Sequence, residues 1–316
     1  MSNRILITPR SLTSGPHPQV ERLHQAGFEV ITCKPNALPT EDELMTLLPG
    51  CVGWLAGIEP VSTKVIAAAR DLKIISRNGT GIDNLPIETL KARDIKIAVA
   101  GGANAAGVAE LAVALIFSAL RNIPQADAGI KQGAWPRRRG RELRDRNVAV
   151  IGCGAIGGEV ARLLSALGAK VLGYDPMQRD MNLPADRFRW VDLPTALREA
   201  DVLTLHCPLQ RDGKPILDQT AIANLRRGAI IVNTARAALV DDSAILAALQ
   251  SGALESYATD VFAEEPPKDL ILTGHERVIA TSHIGGFTDE SVERATSIAI
   301  DNLLAELQPA PHAHVG

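Results

Sequence analysis

The sequence predicts an α/β protein built from two doubly wound parallel sheets. Short apolar runs alternate with helical patterns at the spacing of βαβ units, and a second alternating series begins at Asn147. The hydrophobic share of 46% consists mainly of Ala, Leu, Ile and Val, which suits helices packed on buried strands. A chain of 316 residues is long enough for two domains of ordinary size.

The first hundred residues carry five predicted strands with helices between them. These strands are expected at 4–8, 28–33, 52–56, 73–76 and 95–99. Helical periodicity lies between them, near 18–26, 41–48, 62–70 and 86–93. A long helix rich in Ala, Leu and Val follows at 104–120, and the basic stretch 133–146 is interpreted as a surface arm or linker.

The second series predicts about six strands, the number typical of a dinucleotide-binding sheet. They are expected at 148–151, 170–174, 201–205, 229–233, 256–260 and 278–281. A last helix, 289–307, follows the final strand, and we expect it to return to the first domain. That return would make the first domain discontinuous.

Charge, chain ends and cysteines exclude several classes of protein. Lys and Arg number 33 against 36 Asp and Glu, so the basic excess of a nucleic-acid binder is absent. The N-terminal apolar run 5–7 is too short for a signal peptide, and 111–117 is too short for a membrane span. The four cysteines form no CxxC pair, so no metal site is expected. We therefore expect a cytoplasmic protein.

A glycine-rich loop connects a predicted strand to a predicted helix. Gly152 allows a tight turn, Gly154 lets a pyrophosphate approach the backbone, and Gly157 permits close contact between helix and strand. Ala155 and Ile156 lie at the helix N-terminus, where free N–H groups favour an anion. A merely tight strand-to-helix turn is the alternative interpretation.

An acidic residue, Asp175, ends the next predicted strand, about 20 residues after Gly152, where dinucleotide-binding domains place one. Its carboxylate can accept hydrogen bonds from both hydroxyls of the adenosine ribose. It would repel a 2′-phosphate, so the sequence favours NAD over NADP as the cofactor.

Three ionisable side chains follow predicted strands in the last third of the chain, in the segments 233–236, 260–266 and 282–286. They are Arg236, Glu265 and His283. The carboxyl ends of parallel strands face the ligand crevice of such a sheet, so these side chains are expected to converge there. Hydride transfer from a 2-hydroxy acid needs an acid–base group, a carboxylate that orients it, and a cation for the substrate's carboxylate.

A purely structural role is the alternative interpretation for each of these three residues. Glu265 could lie in a surface turn, with the adjacent Glu264 as the partner of His283. Arg236 could instead pair with the acids at 241–242, and His283 could be a structural histidine at a strand end. His206 likewise fits a cofactor contact or a structural role.

Six segments in order resemble the D-2-hydroxyacid dehydrogenase family, especially its phosphoglycerate dehydrogenase-like branch. They are Arg77–Asn84, the run from Asn104 to Glu110, the glycine loop, 233–241, 260–266 and 283–286. The resemblance covers nearly the whole chain. It implies a flavodoxin-like substrate domain of residues 1–99 and 287–316, a Rossmann NAD domain of 100–286, and an active site in the cleft between them. It also implies a homodimer formed through residues near 104–139.

The resemblance also implies residue roles. His283 is the general acid–base, Glu265 its partner, and Arg236 binds the substrate. Further substrate contacts fall on Arg77, Gly79, Thr80 and Gly81. The cofactor contacts are Val108, Gly152, Gly154, Ala155, Ile156, Gly157, Asp175, His206, Cys207, Pro208, Thr234, Asp260 and Gly286.

The sequence departs from phosphoglycerate-specific relatives at 55–60, where they carry an arginine and this chain carries Glu59. A phosphate there would lose one charge-assisted partner and meet an acid. Arg77 remains, and the arginines at 137–139 lie on the arm. A phosphorylated substrate therefore stays open beside hydroxypyruvate or glyoxylate, and so does the preferred direction of reaction.

We expect an NAD-dependent dehydrogenase that transfers hydride between a small 2-hydroxy or 2-oxo acid and the nicotinamide. The alternative from another class is a non-enzymatic NAD(H)-sensing protein on the same fold. Because the sequence ends at Gly316, no C-terminal regulatory domain is expected. Neither nucleic acid nor a membrane is an expected partner.

Overall fold

Strands and helices alternate along the chain in a computed structural model that describes residues 3–210 and 212–308. Contacts divide the chain into two units. The first unit holds the residues up to Asn104 and from Thr288 onward, and the second is Ala105–Phe287. The boundaries expected from the sequence, after residues 99 and 286, stay predictions.

Among the residues that the structure describes, the first unit begins with five strands and five helices. The strands are β1 Arg4–Ile7, β2 Glu29–Thr32, β3 Cys51–Ala56, β4 Ile74–Arg77 and β5 Lys96–Val99. The helices are α1 Arg10–Thr13, α2 Pro18–Gln25, α3 Glu41–Leu47, α4 Thr63–Ala68 and α5 Ile87–Ala92.

The second unit follows, and its described part (105–210 and 212–287) holds seven strands and six helices. The strands are β6 Asn147–Ile151, β7 Lys170–Tyr174, β8 Phe188–Trp190, β9 Val202–Leu205, β10 Ala229–Asn233, β11 Leu254–Thr259 and β12 Val278–Ala280. The helices are α6 Ala105–Arg121, α7 Ile123–Lys131, α8 Ala155–Ala166, α9 Leu193–Glu199, α10 Gln219–Ala223 and α11 Asp242–Gln250, with a 3₁₀ turn at Ala237–Leu239. The last helix, α12 Asp289–Leu307, belongs to the first unit.

The sheet of the first unit has the order β2-β1-β3-β4-β5, and all its strands are parallel. This is the flavodoxin-like order, in which the direction of winding reverses between β1 and β3. Helix α12 packs on this sheet, with Ile300 and Leu303 in one apolar cluster with Ile5 and Ile74. The Ser76 hydroxyl also donates a hydrogen bond to the carbonyl of α12 residue Ala299, at 2.8 Å.

The sheet of the second unit has the order β12-β11-β10-β9-β6-β7-β8, again all parallel. Winding reverses between β6 and β9, as in a Rossmann sheet. The sequence pattern missed β8, because three residues are too few to show a period. Its Phe188 and Trp190 rings pack edge to face at 5.0 Å, over the bare backbone of Gly173 on β7.

The 17-residue helix α6 is an apolar core helix of the second unit. Its Ala109, Ala112 and Ile116 are buried in one cluster with Val148 and Val150 of β6. Among the described residues no single helix meets the length and apolarity needed to cross a membrane. Taken together α6 and α7 would pass that test by composition and length, but a bend of 65° separates them.

Candidate functional site

The loop between β6 and α8 leaves no room for side chains at two of its glycines. Gly152 has a φ of +88°, and a Cβ there would lie 2.7 Å from the amide nitrogen of Cys207. A Cβ at Gly157 would lie 1.8 Å from the carbonyl oxygen of Gly152. At Gly154, in contrast, no atom of the described residues lies within 4 Å of such a Cβ. The loop is therefore tightly packed at Gly152 and Gly157, and it is open at Gly154.

Free N–H groups line the open side of this loop. Those of Gly154, Ala155 and Ile156 donate to no residue in the described part of the chain. The first helical bond runs from the amide of Gly158 to the carbonyl of Gly154, at 2.9 Å. Helix α8 is twelve residues long, so its N-terminus adds a positive dipole end to these donors. The arrangement can bind an anionic group.

Asp175 follows β7 beside this loop. Its carboxylate accepts hydrogen bonds from the amides of Cys153 and Met177, each at 2.8 Å. Arg179 reaches back over the loop and donates to the carbonyl oxygens of Gly154, at 2.7 Å, and Cys153. This contact was not predicted from the sequence, because a single arginine in a surface turn is ordinary.

His206, Cys207 and Pro208 follow β9, the strand next to β6. The Nε2 atom of His206 lies 2.9 Å from the hydroxyl of Thr204, and its buried Nδ1 has no hydrogen-bond partner among the described residues. Burial lowers the pKa of His206 to about 3. The ring is therefore neutral at physiological pH, so His206 brings no charge to the loop.

His283 and Glu265 form a direct pair. The Nδ1 atom of His283 lies 2.9 and 2.8 Å from the two carboxylate oxygens of Glu265. Glu265 also accepts a hydrogen bond from the amide of Phe262, at 3.2 Å, while the neighbouring Glu264 pairs with Lys268. An ionised carboxylate only accepts hydrogen bonds, so Nδ1 carries the proton and the lone pair is on Nε2.

Asp260 fixes the backbone on both sides of this histidine. It is buried, and one carboxylate oxygen accepts from the hydroxyl of Thr281 at 2.6 Å and from the amide of Ile284 at 2.9 Å. The other oxygen accepts from the amide of Gly285 at 2.8 Å. His283 itself has a φ of +56°, an uncommon conformation for a residue with a side chain. The carboxylate thus holds the loop that presents the imidazole.

Arg236 and Thr234 follow β10, next to β11 in the sheet. Arg236 is half-buried, and its Nη1 donates to the carbonyl of Ala235 at 2.8 Å. The hydroxyl of Thr234 is buried and has no hydrogen-bond partner within residues 3–210 and 212–308. Such an orphaned hydroxyl is the kind of group that a bound ligand satisfies.

Val108 of α6 lies against the glycines that follow His283. A Cβ at Gly285 would meet a methyl group of Val108 at 3.3 Å, and Gly286 comes next in the same turn. Strands β10, β11 and β12 are neighbours, so Arg236, Glu265 and His283 all follow the carboxyl ends of adjacent strands. The second unit thus carries the whole predicted acid–base set at one edge of its sheet.

The remaining predicted residues lie in the first unit, at the end of β4. Arg77 is buried, and its Nε donates to the carbonyl of Gly81 at 2.9 Å. Burial lowers the pKa of Arg77, against the opposing influence of Glu59 and Asp83. The amides of Gly79, Thr80 and Gly81 donate to none of the described residues.

Comparison with known proteins decides the family. Residues 113–285, more than half of the chain, match the D-isomer specific 2-hydroxyacid dehydrogenase family, NAD binding domain. The chain belongs to this family. The predicted family, fold class, oxidoreductase activity and NAD cofactor of the dehydrogenase are thereby confirmed.

Curated relatives of the dehydrogenase have two different names. A hydroxypyruvate reductase of Thermotoga maritima is 37% identical over 273 residues, which is 84% of this chain and 88% of the relative. A D-3-phosphoglycerate dehydrogenase of Methanocaldococcus jannaschii is 39% identical over 246 residues, 77% of this chain and 47% of the relative. The chain spans about half the length of the phosphoglycerate dehydrogenases it matches.

Solved structures show the same fold. A Thermus thermophilus protein has a TM-score of 0.86 at 30% identity, over 96% of both chains. A D-lactate dehydrogenase of Aquifex aeolicus, complexed with NAD and lactic acid, has a TM-score of 0.78 at 25% identity, over 95% of this chain and 94% of that one.

Proposed function

We propose that this dehydrogenase interconverts a small D-2-hydroxy acid and its 2-oxo acid, with His283 as the general acid–base. The hydrogen bonds from His283 Nδ1 to both oxygens of Glu265, at 2.9 and 2.8 Å, carry this proposal. They keep the proton on Nδ1, so Nε2 is free to take the hydroxyl proton during oxidation. In reduction the protonated ring returns it, and Glu265 stabilises the charged imidazolium.

NAD supplies the hydride acceptor for oxidation and, when reduced, the hydride donor. The free amides of Gly154, Ala155 and Ile156 fit its pyrophosphate, because they offer unpaired donors over open space. Asp175 would hold the adenosine ribose. The other residues in the cofactor proposal are Val108, Gly152, Gly157, His206, Cys207, Pro208, Thr234, Asp260 and Gly286.

Arg236 is proposed to hold the substrate's carboxylate. A guanidinium matches a carboxylate with two parallel hydrogen bonds and stays charged at any physiological pH. Arg77 and the free amides of Gly79, Thr80 and Gly81 form the proposed substrate loop, because consecutive unpaired amides make an anion-binding concavity. These roles follow from the family's motifs together with the unpaired donors.

A panel of 2-oxo acids tests this function. Purified protein and NADH are mixed with glyoxylate, pyruvate, hydroxypyruvate or 3-phosphohydroxypyruvate, and the loss of NADH absorbance is followed. We expect at least one acid to oxidise NADH. Tight binding of NADH without oxidation by any acid would instead support an NAD(H)-sensing protein.

We also propose a homodimer formed through residues near 104–139, a range that includes α7 and the arm after it. No residue of α7 is buried, and Ile123, Ile130 and Trp135 are exposed by 51%, 51% and 80%. Exposed apolar side chains grouped on one segment are typical of interfaces. Sedimentation should give a dimer, and Ile130→Asp should shift it to monomer, whereas Ile271→Asp at another exposed site should not. A native monomer would contradict the proposal.

We also propose that the protein is located in the cytoplasm. The structure describes four free cysteines, Cys33, Cys51, Cys153 and Cys207. Free thiols are the rule where the surroundings are reducing. Fractionation of the source cells, with NADH oxidation as the readout, tests the location, and activity confined to a secreted fraction would contradict it.

A further inference from the structure

Asn233 is a fully buried polar residue at the end of β10. The four residues before it in this strand, 229–232, are apolar and also buried. Strands in the interior of a parallel sheet consist mainly of apolar residues, and a buried amide costs free energy unless its polar groups are hydrogen-bonded. An asparagine at this position therefore needs a reason other than core packing.

The side chain of Asn233 is bonded at two points to the turn that carries Arg236. Its Oδ1 accepts a hydrogen bond from the amide of Ala235, at 3.1 Å, and its Nδ2 donates to the carbonyl of Arg236, at 2.9 Å. One bond needs an acceptor and the other needs a donor, and the carboxamide offers both in one planar group. A leucine of similar size could make neither bond.

Both ends of this link are themselves held in place. Asn233 is paired with β9 on one side and β11 on the other, and its carbonyl accepts from the amide of Asp260 at 3.0 Å. The carbonyl of Arg236 also accepts from the amide of Leu239, at 3.2 Å, within the 3₁₀ turn. The backbone of Arg236 is therefore fixed between a strand end and a helical turn.

The guanidinium of Arg236 contacts the same turn. Its Nη1 donates to the carbonyl of Ala235, at 2.8 Å. The residue whose amide is bonded to Asn233 thus also supports the charged group. A change in the Asn233 side chain would therefore reach the guanidinium through the backbone and through this hydrogen bond.

We propose that Asn233 is a positioning residue, which fixes the turn from which the Arg236 guanidinium reaches the substrate's carboxylate. This inference rests on the proposed function, in which Arg236 binds that carboxylate. A guanidinium binds a carboxylate through two parallel hydrogen bonds, so it must approach at a defined distance and angle. Displacement of such a group by about 1 Å can cost about 100-fold in rate. Asn233 acts through Arg236 and needs no contact with the substrate.

Asn233→Leu tests the proposal, because it removes both bonds and keeps the volume. With the best acid of the panel, KM should rise about 10- to 100-fold, while NADH affinity stays within a few-fold of native and confirms folding. Asn224→Leu, at an exposed asparagine after α10, should leave KM unchanged. If the leucine variant does not fold, Asn233→Ser, which is too short to span both groups, takes its place. A native KM in the folded variant would overturn the proposal.

A double-mutant cycle with Arg236→Gln separates positioning from a general disturbance of the site. If Asn233 acts through Arg236, its substitution should lower kcat/KM strongly beside Arg236 but by less than about 2-fold beside Gln at 236. Equal falls in both backgrounds would overturn the proposal. If Arg236→Gln alone leaves kcat/KM native, the proposed role of Arg236 fails as well. If Arg236→Gln lowers kcat/KM and the Asn233 variant does not, this inference alone fails.

Discussion

In the second unit, the positions of individual side chains and loops depend on hydrogen-bond partners that are far away in the sequence. The carboxylate of Asp260 binds the hydroxyl of Thr281 and the amides of Ile284 and Gly285, more than twenty positions later. The resemblance implies a cofactor contact for Asp260, and that contact stays a prediction. The bonds to the His283 loop could not be predicted from the sequence, because the donors come near Asp260 only once β11 and β12 lie side by side. Asp260 positions the loop of His283 by these bonds, whatever else it contacts.

His206 makes the free energy of unfolding depend on pH. The pKa of an unfolded histidine is near 6.5, whereas burial lowers that of His206 to about 3. Between these values the unfolded chain binds a proton that the folded chain does not, so stability falls as pH drops from about 6.5 toward 3. The slope from one such group is at most about 1.4 kcal/mol per pH unit.

His206→Gln removes this contribution. Thermal unfolding at pH 7, 6, 5 and 4 should show a flatter acid decline for the variant than for the native protein. His24→Gln, at an exposed histidine of α2, should follow the native curve. Parallel curves for native protein and His206→Gln would contradict the burial of a neutral ring.

Strands and helices were predicted correctly where their apolar sequence patterns are long. The two alternating series gave eleven of the strands that the structure describes, and the run 104–120 gave α6, because burial on a parallel sheet forces continuous apolar segments. The three-residue β8 was missed for lack of length. The contacts of Arg179 were missed because they depend on which loops the folded sheets bring together.

The turn from β6 to α8 makes a paired prediction. Gly157→Ala puts a methyl group 1.8 Å from the carbonyl oxygen of Gly152, so the turn must move; we expect a loss of about 3 kcal/mol or more in unfolding free energy. The methyl group of Gly154→Ala meets no atom of the described chain within 4 Å, so this variant should fold with a near-native melting temperature yet bind NADH more weakly. Calorimetry measures the stability of both variants, and fluorescence titration measures their affinity for NADH.

Opposite results would contradict this view of the loop. If Gly157→Ala melts like the native protein, the close approach of α8 to β6 is not needed. If Gly154→Ala binds NADH as tightly as the native protein, the pyrophosphate does not approach the backbone there. Either result is independent of the substrate.

Over the whole molecule, the order of motifs along the sequence was enough to predict the family and the cofactor. The two sheets explain why: each parallel sheet collects the residues that follow its strands at one edge, so strand ends in the sequence become neighbours in space. Substrate identity is different. It depends on the contacts of individual loop side chains, which follow from the folded geometry of the loops rather than from strand order.

The central claim is that His283, held by Glu265, moves the proton that accompanies hydride transfer. The most direct test is the turnover of His283→Gln with NADH and the best acid of the panel, measured beside NADH affinity. We expect kcat to fall by about 10²- to 10⁴-fold while NADH affinity stays within a few-fold of native. Native-like turnover in the folded variant would contradict the claim.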